Sequence, residues 1–348
     1  MLWHLRLFFK DTSMPAKGKS NRTIIVIAVF IFLISQTLIF ASIPRDTSSF
    51  PIFIIVKNGT SLYNIADMLK KEGLIYSSNL FVLSSLLYRG KLMAGEYILR
   101  KDMSTLEIAG KMGRGIRNIY ALKIVEGHNI YTIADTIAEH KIMERDEFLR
   151  LAGDKHFLRN AGIMSDSLEG FLAPDTYHYS KETTPETFIE KITQRRIKYF
   201  EREDVKKKMT ALNLDINKTL TMASMIEKEA KTGSEKPLIS AVFHNRLLKG
   251  MSFDCDPTII YGTKAFHRPI TKTDLITYTP YNTYTFKGFP KGPICNPDKG
   301  SIEAALNPAH VDYLYFVSRN DGTHVFSRDM DEHNKYVTMY QRTKTTKK

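Results

Sequence analysis

Two glutamates flank a lysine at Glu227-Lys228-Glu229, directly after the run Thr221-Met222-Ala223-Ser224-Met225-Ile226. A carboxyl group can give a proton to a leaving oxygen or take one from a nucleophile, which is general acid–base chemistry. Met222, Ala223, Met225 and Ile226 fall on one stripe of a helix, so both glutamates sit near its C-terminal end. At roughly 100° per residue they stand about 200° apart and cannot both face one cleft. The one bordering the apolar stripe loses water, which raises its pKa and lets it remain protonated as an acid. Taken alone, the tripeptide reads more readily as a solvated Glu-Lys-Glu surface. Other side chains offer no competing centre. The ten histidines show no His-Glu-x-x-His spacing and the two cysteines, Cys255 and Cys295, form no Cys-x-x-Cys pair, so no metal is expected. Whether the two thiols bridge or stay apart is open at this level.

The downstream text changes the weight of that tripeptide. Phe243-His244-Asn245-Arg246-Leu247, Asp256-Pro257-Thr258-Ile259-Ile260-Tyr261-Gly262 and Tyr281-Asn282-Thr283-Tyr284 follow in order. Gly288-Phe289-Pro290-Lys291-Gly292-Pro293-Ile294, Asn307-Pro308-Ala309 and Tyr313-Leu314-Tyr315-Phe316-Val317 complete the series. Upstream stand Ala94-Gly95-Glu96-Tyr97, Val125-Glu126-Gly127 and Leu168-Glu169-Gly170. In this order the segments strongly resemble the MltG (YceG-like) family of endolytic murein transglycosylases, over roughly residues 50 to 340 and with the anchor included. Ala173, where the family pattern commonly has a bulky apolar residue, and the two cysteines are small departures that touch substrate preference.

The resemblance implies a lyase that cleaves the MurNAc–GlcNAc β-1,4 bond within nascent peptidoglycan strands and leaves 1,6-anhydro-MurNAc ends. Such a reaction needs an acid for the leaving oxygen and then a base for the sugar's own O6 hydroxyl. One glutamate can serve in both turns, unlike the paired carboxylates of ordinary glycosidases, so the resemblance implies no cofactor. By likeness to lysozyme-type transglycosylases, whose acid lies near a helix end before a small residue, Glu229-Ala230 fits better than Glu227-Lys228. Glu229 is thus the expected acid and base, with Glu227 orienting or second choice. Asn245, Asp256, Tyr261, Tyr281, Asn282 and Tyr284 are candidates to line the cleft, since rings stack on pyranose faces and amides pair with hydroxyl and acetamido groups. Each reads equally well as a turn holder or core residue. The competing class is a catalytically silent wall-binding scaffold of the synthesis machinery.

Several elements must position these residues. Phe53-Ile54-Ile55-Val56 reads as a strand, Ser61 to Lys71 and Ser77 to Leu87 as helices, and Gly95 to Leu99 as a returning strand. This βααβ order resembles a LysM-type glycan-binding module. Gly59-Thr60-Ser61-Leu62-Tyr63-Asn64-Ile65-Ala66-Asp67 recurs in register as Gly127-His128-Asn129-Ile130-Tyr131-Thr132-Ile133-Ala134-Asp135, with Ser61 and Asn129 as N-cap candidates. Further helices are expected over 104–112, 185–208, 220–231 and 237–249. Short strands are expected at 313–317 and 324–326, and 168–177 reads as a turn-rich block. The whole is an α+β pattern.

Residues 24–41, IIVIAVFIFLISQTLIFA, carry no charge and span roughly 27 Å as a helix, close to a hydrocarbon core. Ala41-Ser42-Ile43 is a poor cleavage site, so a retained anchor is favoured over a signal peptide. Arg6, Lys10, Lys17, Lys19 and Arg22 precede it and place the N-terminus inside. The expected organisation is a basic cytoplasmic tail (1–22), a transmembrane helix (23–42), a LysM-like subdomain (43–118) and a catalytic domain (119–348) outside the cell's inner membrane. Peptidoglycan strands are the expected substrate and peptidoglycan synthases a family-level partner. The formal charge of +13 fits an anionic polymer or lipid. No helix carries a basic face with interleaved aromatics, so nucleic acid is not an expected partner.

Overall fold

The computed structural model describes residues 17–181 and 183–342; the basic positions at 1–16 and 343–348 lie outside them. The fold is mixed α+β and divides into two compact units, residues 1–119 with 180–182, and 120–179 with 183–348. Among the described residues every sheet is a two-stranded antiparallel pair.

The first unit opens with α1 (Lys17–Ala41), whose stretch Thr23–Ala41 is 19 residues long and apolar enough to cross a membrane. Then come β1 (Ile52–Val56), α2 (Leu62–Lys71), α3 (Ser78–Ser85), a 3₁₀ turn at Leu86–Tyr88, β2 (Gly95–Leu99) and α4 (Thr105–Gly113). β1 and β2 pair from Ile52–Leu99 to Val56–Gly95, so Ile54 and Val56 turn inward opposite Tyr97 and Gly95. The helices start where short polar side chains satisfy free amides. Ser61 Oγ accepts from Asn64 N, and Ser104 and Glu107 form a reciprocal capping box. Ile65, Leu69, Phe81, Leu99, Ile108 and Met112 fill the core. Glu96 is fully buried in this unit, where its carboxylate accepts from Lys181 Nζ at 2.8 Å and Asn118 Nδ2 at 2.9 Å.

The second unit begins with β3 (Tyr120–Ile124), α5 (Ile130–Glu139), α6 (Arg145–Ala152), α7 (Lys155–Asn160) and β4 (Asp175–Tyr179). β3 pairs with β4, so the end of the block read as turns is a strand. Asn129 caps α5 by accepting from Thr132 N at 3.0 Å, matching the role of Ser61 in the repeated segment. The single helix expected over 185–208 is two, α8 (Pro185–Phe200) and α9 (Glu203–Ala211). Val205, five residues after Phe200, would lie about 140° around a continuous helix from it. The break at Glu201–Arg202 re-phases the chain so that Phe200, Val205 and Met209 all reach the core.

α10 (Ile216–Glu229) starts four residues earlier than expected, because Asp215 caps it through Lys218 N at 2.7 Å. It is the core helix of the unit, buried without interruption from Thr219 to Ile226. Around it pack α11 (Lys236–Leu248), α12 (Asp256–Thr263) and, after α13 (Lys272–Ile276), α14 (Lys299–Leu306). β5 (Tyr315–Ser318), β6 (His324–Ser327) and α15 (Met330–Val337) follow.

Arg246, near the end of α11, determines how the chain enters α12. Its buried guanidinium donates to the carbonyls of Leu314, Ser252 and Phe253 and to Asp254 Oδ2, at 2.7 to 3.2 Å. A methionine there would keep the bulk and leave those acceptors unpaired. Arg246→Met is expected to cost about 3 kcal/mol, read as a lowered thermal midpoint; an unchanged midpoint would show that the cluster holds nothing.

Candidate active site

The two glutamates at the end of α10 have separate surroundings, as helical geometry requires. Glu227 turns toward the starts of α11 and α14. Its Oε2 accepts from Lys236 Nζ at 3.2 Å, Asp298 N at 3.2 Å and Ser301 Oγ at 2.5 Å. Lys236 Nζ also reaches Asp298 Oδ1 at 2.8 Å, so the group closes on itself. This carboxylate is occupied with holding three elements together.

Glu229 is the last residue of α10, and Ala230 leaves the helix in an extended conformation. Its partner is the thiol of Cys255, which donates to Oε1 at 3.3 Å from the residue that precedes α12. Burial pushes the Glu229 carboxyl from an ordinary 4.5 up to about 7; the Cys255 bond opposes the rise and the charge of Asp256 adds to it. Burial and the neighbouring Glu229 charge push the Cys255 thiol well up, so the sulfur keeps its proton and is the donor in this bond. Cys255 and Cys295 are both buried and free, and Cys295 donates to Ser224 O at 3.4 Å.

Around this carboxyl the other candidates divide into two groups. Asp256, the first residue of α12, accepts from the Tyr284 hydroxyl at 2.6 Å, and Tyr284 is 39% exposed. Tyr261, one turn and a half along α12, places its ring 4.8 Å from that of Tyr281. Asp256 with Tyr284 and Tyr261 with Tyr281 are thus two pairs on the α12 surface, the first open and the second anchored by Tyr261, which is only 7% exposed. Asn282 and Asn245 do not offer their amides to it. Asn282 is fully buried and donates to the carbonyls of Asp274, Leu275 and Thr277. Asn245 donates to the carbonyls of Val311 and Tyr313 at 2.8 and 2.9 Å. Both are turn holders, one of the two readings the sequence left open.

Sequence reasoning missed the groups that hold the surface in place. Thr283 Oγ1 accepts from Cys255 N at 3.1 Å and lies 2.9 Å from Thr258 Oγ1, stapling the 281–284 segment to the first turn of α12. Glu169, fully buried, accepts from Ile130 N at 3.0 Å and Asn296 Nδ2 at 2.9 Å, and it bonds the Tyr261 hydroxyl. Burial pushes this carboxyl to about 8 against those hydrogen bonds. Asn296 also donates to His128 O and accepts from Leu172 N. Gly170 takes φ +84°, and a Cβ on it would stand 2.7 Å from Pro293 Cγ, so only glycine lets the 168–172 turn lie against the 293–296 strap. The motif Leu168-Glu169-Gly170 was visible in the sequence; that its glutamate faces inward was not. A cavity of about 440 Å³ opens beside this frame, lined among others by His128, Lys228, Pro257, Tyr261 and Phe266.

A carboxyl desolvated at the end of a core helix, in a mixed α+β unit, is the kind of group that acid–base enzymes use. The YceG-like family model matches residues 54–339, and the chain belongs to that family. It is 33% identical over 313 residues to the endolytic murein transglycosylase of Bacillus subtilis, covering 84% of this chain and 86% of that protein. A Streptococcus pneumoniae protein of the same name is 26% identical over 367 residues, which take in 92% of this chain and 65% of the relative. The crystal structure of a YceG-like protein from Listeria monocytogenes superposes with a TM-score of 0.57 at 31% identity, over 82% of this chain and 99% of that one.

Raising a carboxyl's pKa on folding costs stability wherever the unfolded chain would ionise it. For Glu229 the loss grows as pH rises from about 4.5 to about 7 and is constant above. Glu229→Gln removes it, so the variant is expected to be more stable than the parent at pH 8, by up to about 3 kcal/mol. The gain should vanish at pH 4, and thermal melts at the two values measure it. Cys255→Ala deletes the donor and should move the Glu229 titration, followed by carboxyl NMR, to higher pH. A shift to lower pH would mean that the thiol does not favour the ionised form.

Proposed function

We propose that the chain is an endolytic murein transglycosylase, cutting the MurNAc–GlcNAc β-1,4 bond of peptidoglycan without water and leaving 1,6-anhydro-MurNAc ends. The observation that carries this reading is the contrast between Glu227, consumed by three donors, and Glu229, desolvated with a single weak one. A group with a pKa of about 7 is present in both protonation states at neutral pH. Protonated, Glu229 gives its proton to the glycosidic oxygen as the leaving chain departs. Ionised by that transfer, it takes the proton from the O6 hydroxyl as O6 closes on C1. The residue returns to its starting state with no second carboxyl required, which distinguishes the reaction from paired-acid hydrolysis.

Glu227 serves as a positioning residue, fixing the last turn of α10 through Lys236, Asp298 and Ser301. Tyr281 and Tyr284 supply ring faces for pyranose units, with Asp256 aligning the Tyr284 hydroxyl and Tyr261, its own hydroxyl held by Glu169, backing the Tyr281 ring. The βααβ arrangement of the first unit fits a LysM-like role in holding a glycan strand. The uncharged stretch Thr23–Ala41 of α1 and the basic residues before it fit a single-pass protein of the inner membrane, N-terminus in the cytoplasm and both units outside. A place beside peptidoglycan synthases is consistent with action on nascent strands.

Mass spectrometry of digested strands tests the reading. The parent protein should release anhydro ends, and Glu229→Gln should reduce that release by at least about a hundredfold, the size of an acid–base contribution, while still folding and binding glycan. Reducing ends from the parent would mean a hydrolase, and unchanged strands a scaffold. Full activity in Glu229→Gln would falsify the assignment, and loss confined to Glu227→Gln would exchange the two roles.

A further inference from the structure

The helix α3 with the turn after it, Ser78–Tyr88, is eleven residues without a charge. Phe81 points into the core of its unit, but Leu83, Leu86 and Leu87 are 51%, 60% and 63% exposed. Three large aliphatic side chains side by side on one small helix form an apolar face that water solvates poorly. The hydroxyls within the segment are already satisfied, Ser84 Oγ donating to Leu80 O and Ser85 Oγ to Val82 O.

What covers this face follows from its neighbour in the same unit. α1 packs against α3, and Leu83, Leu86 and Leu87 line a cavity of about 320 Å³ together with Ile34, Thr37, Leu38 and Ala41. Ile34 to Ala41 is roughly 10 Å of helix, and Ala41 ends the apolar stretch. The leucines therefore lie alongside the last 10 Å or so of the span, which is the depth to which interfacial helices enter a bilayer. The residues around them suit a head-group layer. Phe40 and Tyr76 stand 5.7 Å apart, the Arg45 guanidinium lies over the Tyr76 ring, and Arg89 and Lys91 are exposed at the end of the segment.

We propose that α3 and its following turn are a membrane-interface element, seating Leu83, Leu86 and Leu87 among the acyl chains of the leaflet through which α1 emerges. The proposal goes beyond the transglycosylase reading and rests on the reading of α1 as a span. Its effect is to add a second point of attachment, so that the first unit lies on the bilayer instead of swinging from a tether. The ligand is a lipid surface in general, with Arg89 and Lys91 favouring anionic head groups.

The full chain reconstituted in vesicles of zwitterionic and anionic phospholipid provides the test. Single cysteines carrying an environment-sensitive fluorophore replace Leu83, Leu86, Leu87, Phe30 within the span, or Tyr63, which is exposed on α2. The two native thiols are buried, and the chain without an added cysteine gives their background. Blue-shifted emission at 83, 86 and 87, quenched by lipids spin-labelled near the head group, is expected, with water-like emission at 63. Water-like emission at the three leucine positions while position 30 is buried would overturn the proposal and leave the span intact. Water-like emission at position 30 as well would instead remove the anchor on which it rests. Protection of the leucine positions in detergent-free vesicles only after a partner protein is added would also overturn it.

Discussion

Burial of α10 along eight consecutive residues, Thr219 to Ile226, is the constraint from which the site follows. A helix enclosed on every side cannot slide or rotate without breaking packing around its whole circumference. Its last turn is therefore delivered to a fixed place, and the two glutamates on that turn inherit fixed and different environments. One meets donors from α11 and α14. The other meets only the sulfur ahead of α12 and a nearby carboxylate. The raised pKa of Glu229 is thus a property of the core before it is a property of the residue.

The same logic explains why the surrounding network looks disproportionate to the chemistry. Thr283, Thr258 and Tyr284 bind one loop to the start of α12, and Arg246 holds the chain that leads into it. Asn296 and Glu169 connect the turn before α5, the 168–172 turn and Tyr261. Tyr284 apart, none of these side chains needs to touch a sugar. Each removes a freedom that would let α12 drift from the end of α10, and a displacement of an ångström there is costly to a proton transfer.

Much of this was legible in the sequence, and what was not has identifiable causes. Apolar spacing located the helices because their faces are buried one-sidedly, and Ser61 and Asn129 marked helix starts by a local hydrogen bond. The separation of Glu227 and Glu229 followed from helical geometry alone. By contrast, the pairing of Tyr120–Ile124 with Asp175–Tyr179 joins residues some fifty apart, which no local pattern announces. The break between α8 and α9 depends on where Val205 and Met209 find a core. Asn245 and Asn282 looked like sugar contacts because an amide's chemistry is the same whether its partner is a hydroxyl or a backbone carbonyl. Only three-dimensional placement distinguishes the uses. Cys255 stood in a familiar block with nothing to reveal that its sulfur faces Glu229.

The frame around Asn296 has a consequence for timing. Its side chain bonds to His128, Glu169 and Leu172, which lie 124 to 168 residues earlier in the chain. Contacts of such sequence separation form late, because a long loop must close before any of them is rewarded. Glu229 can be synthesised and its helix formed well before the walls that desolvate it exist, and until then it is an ordinary solvated carboxylate. The pKa shift of Glu229 is therefore complete only when the fold is, and the chemistry proposed for it belongs to the finished chain alone.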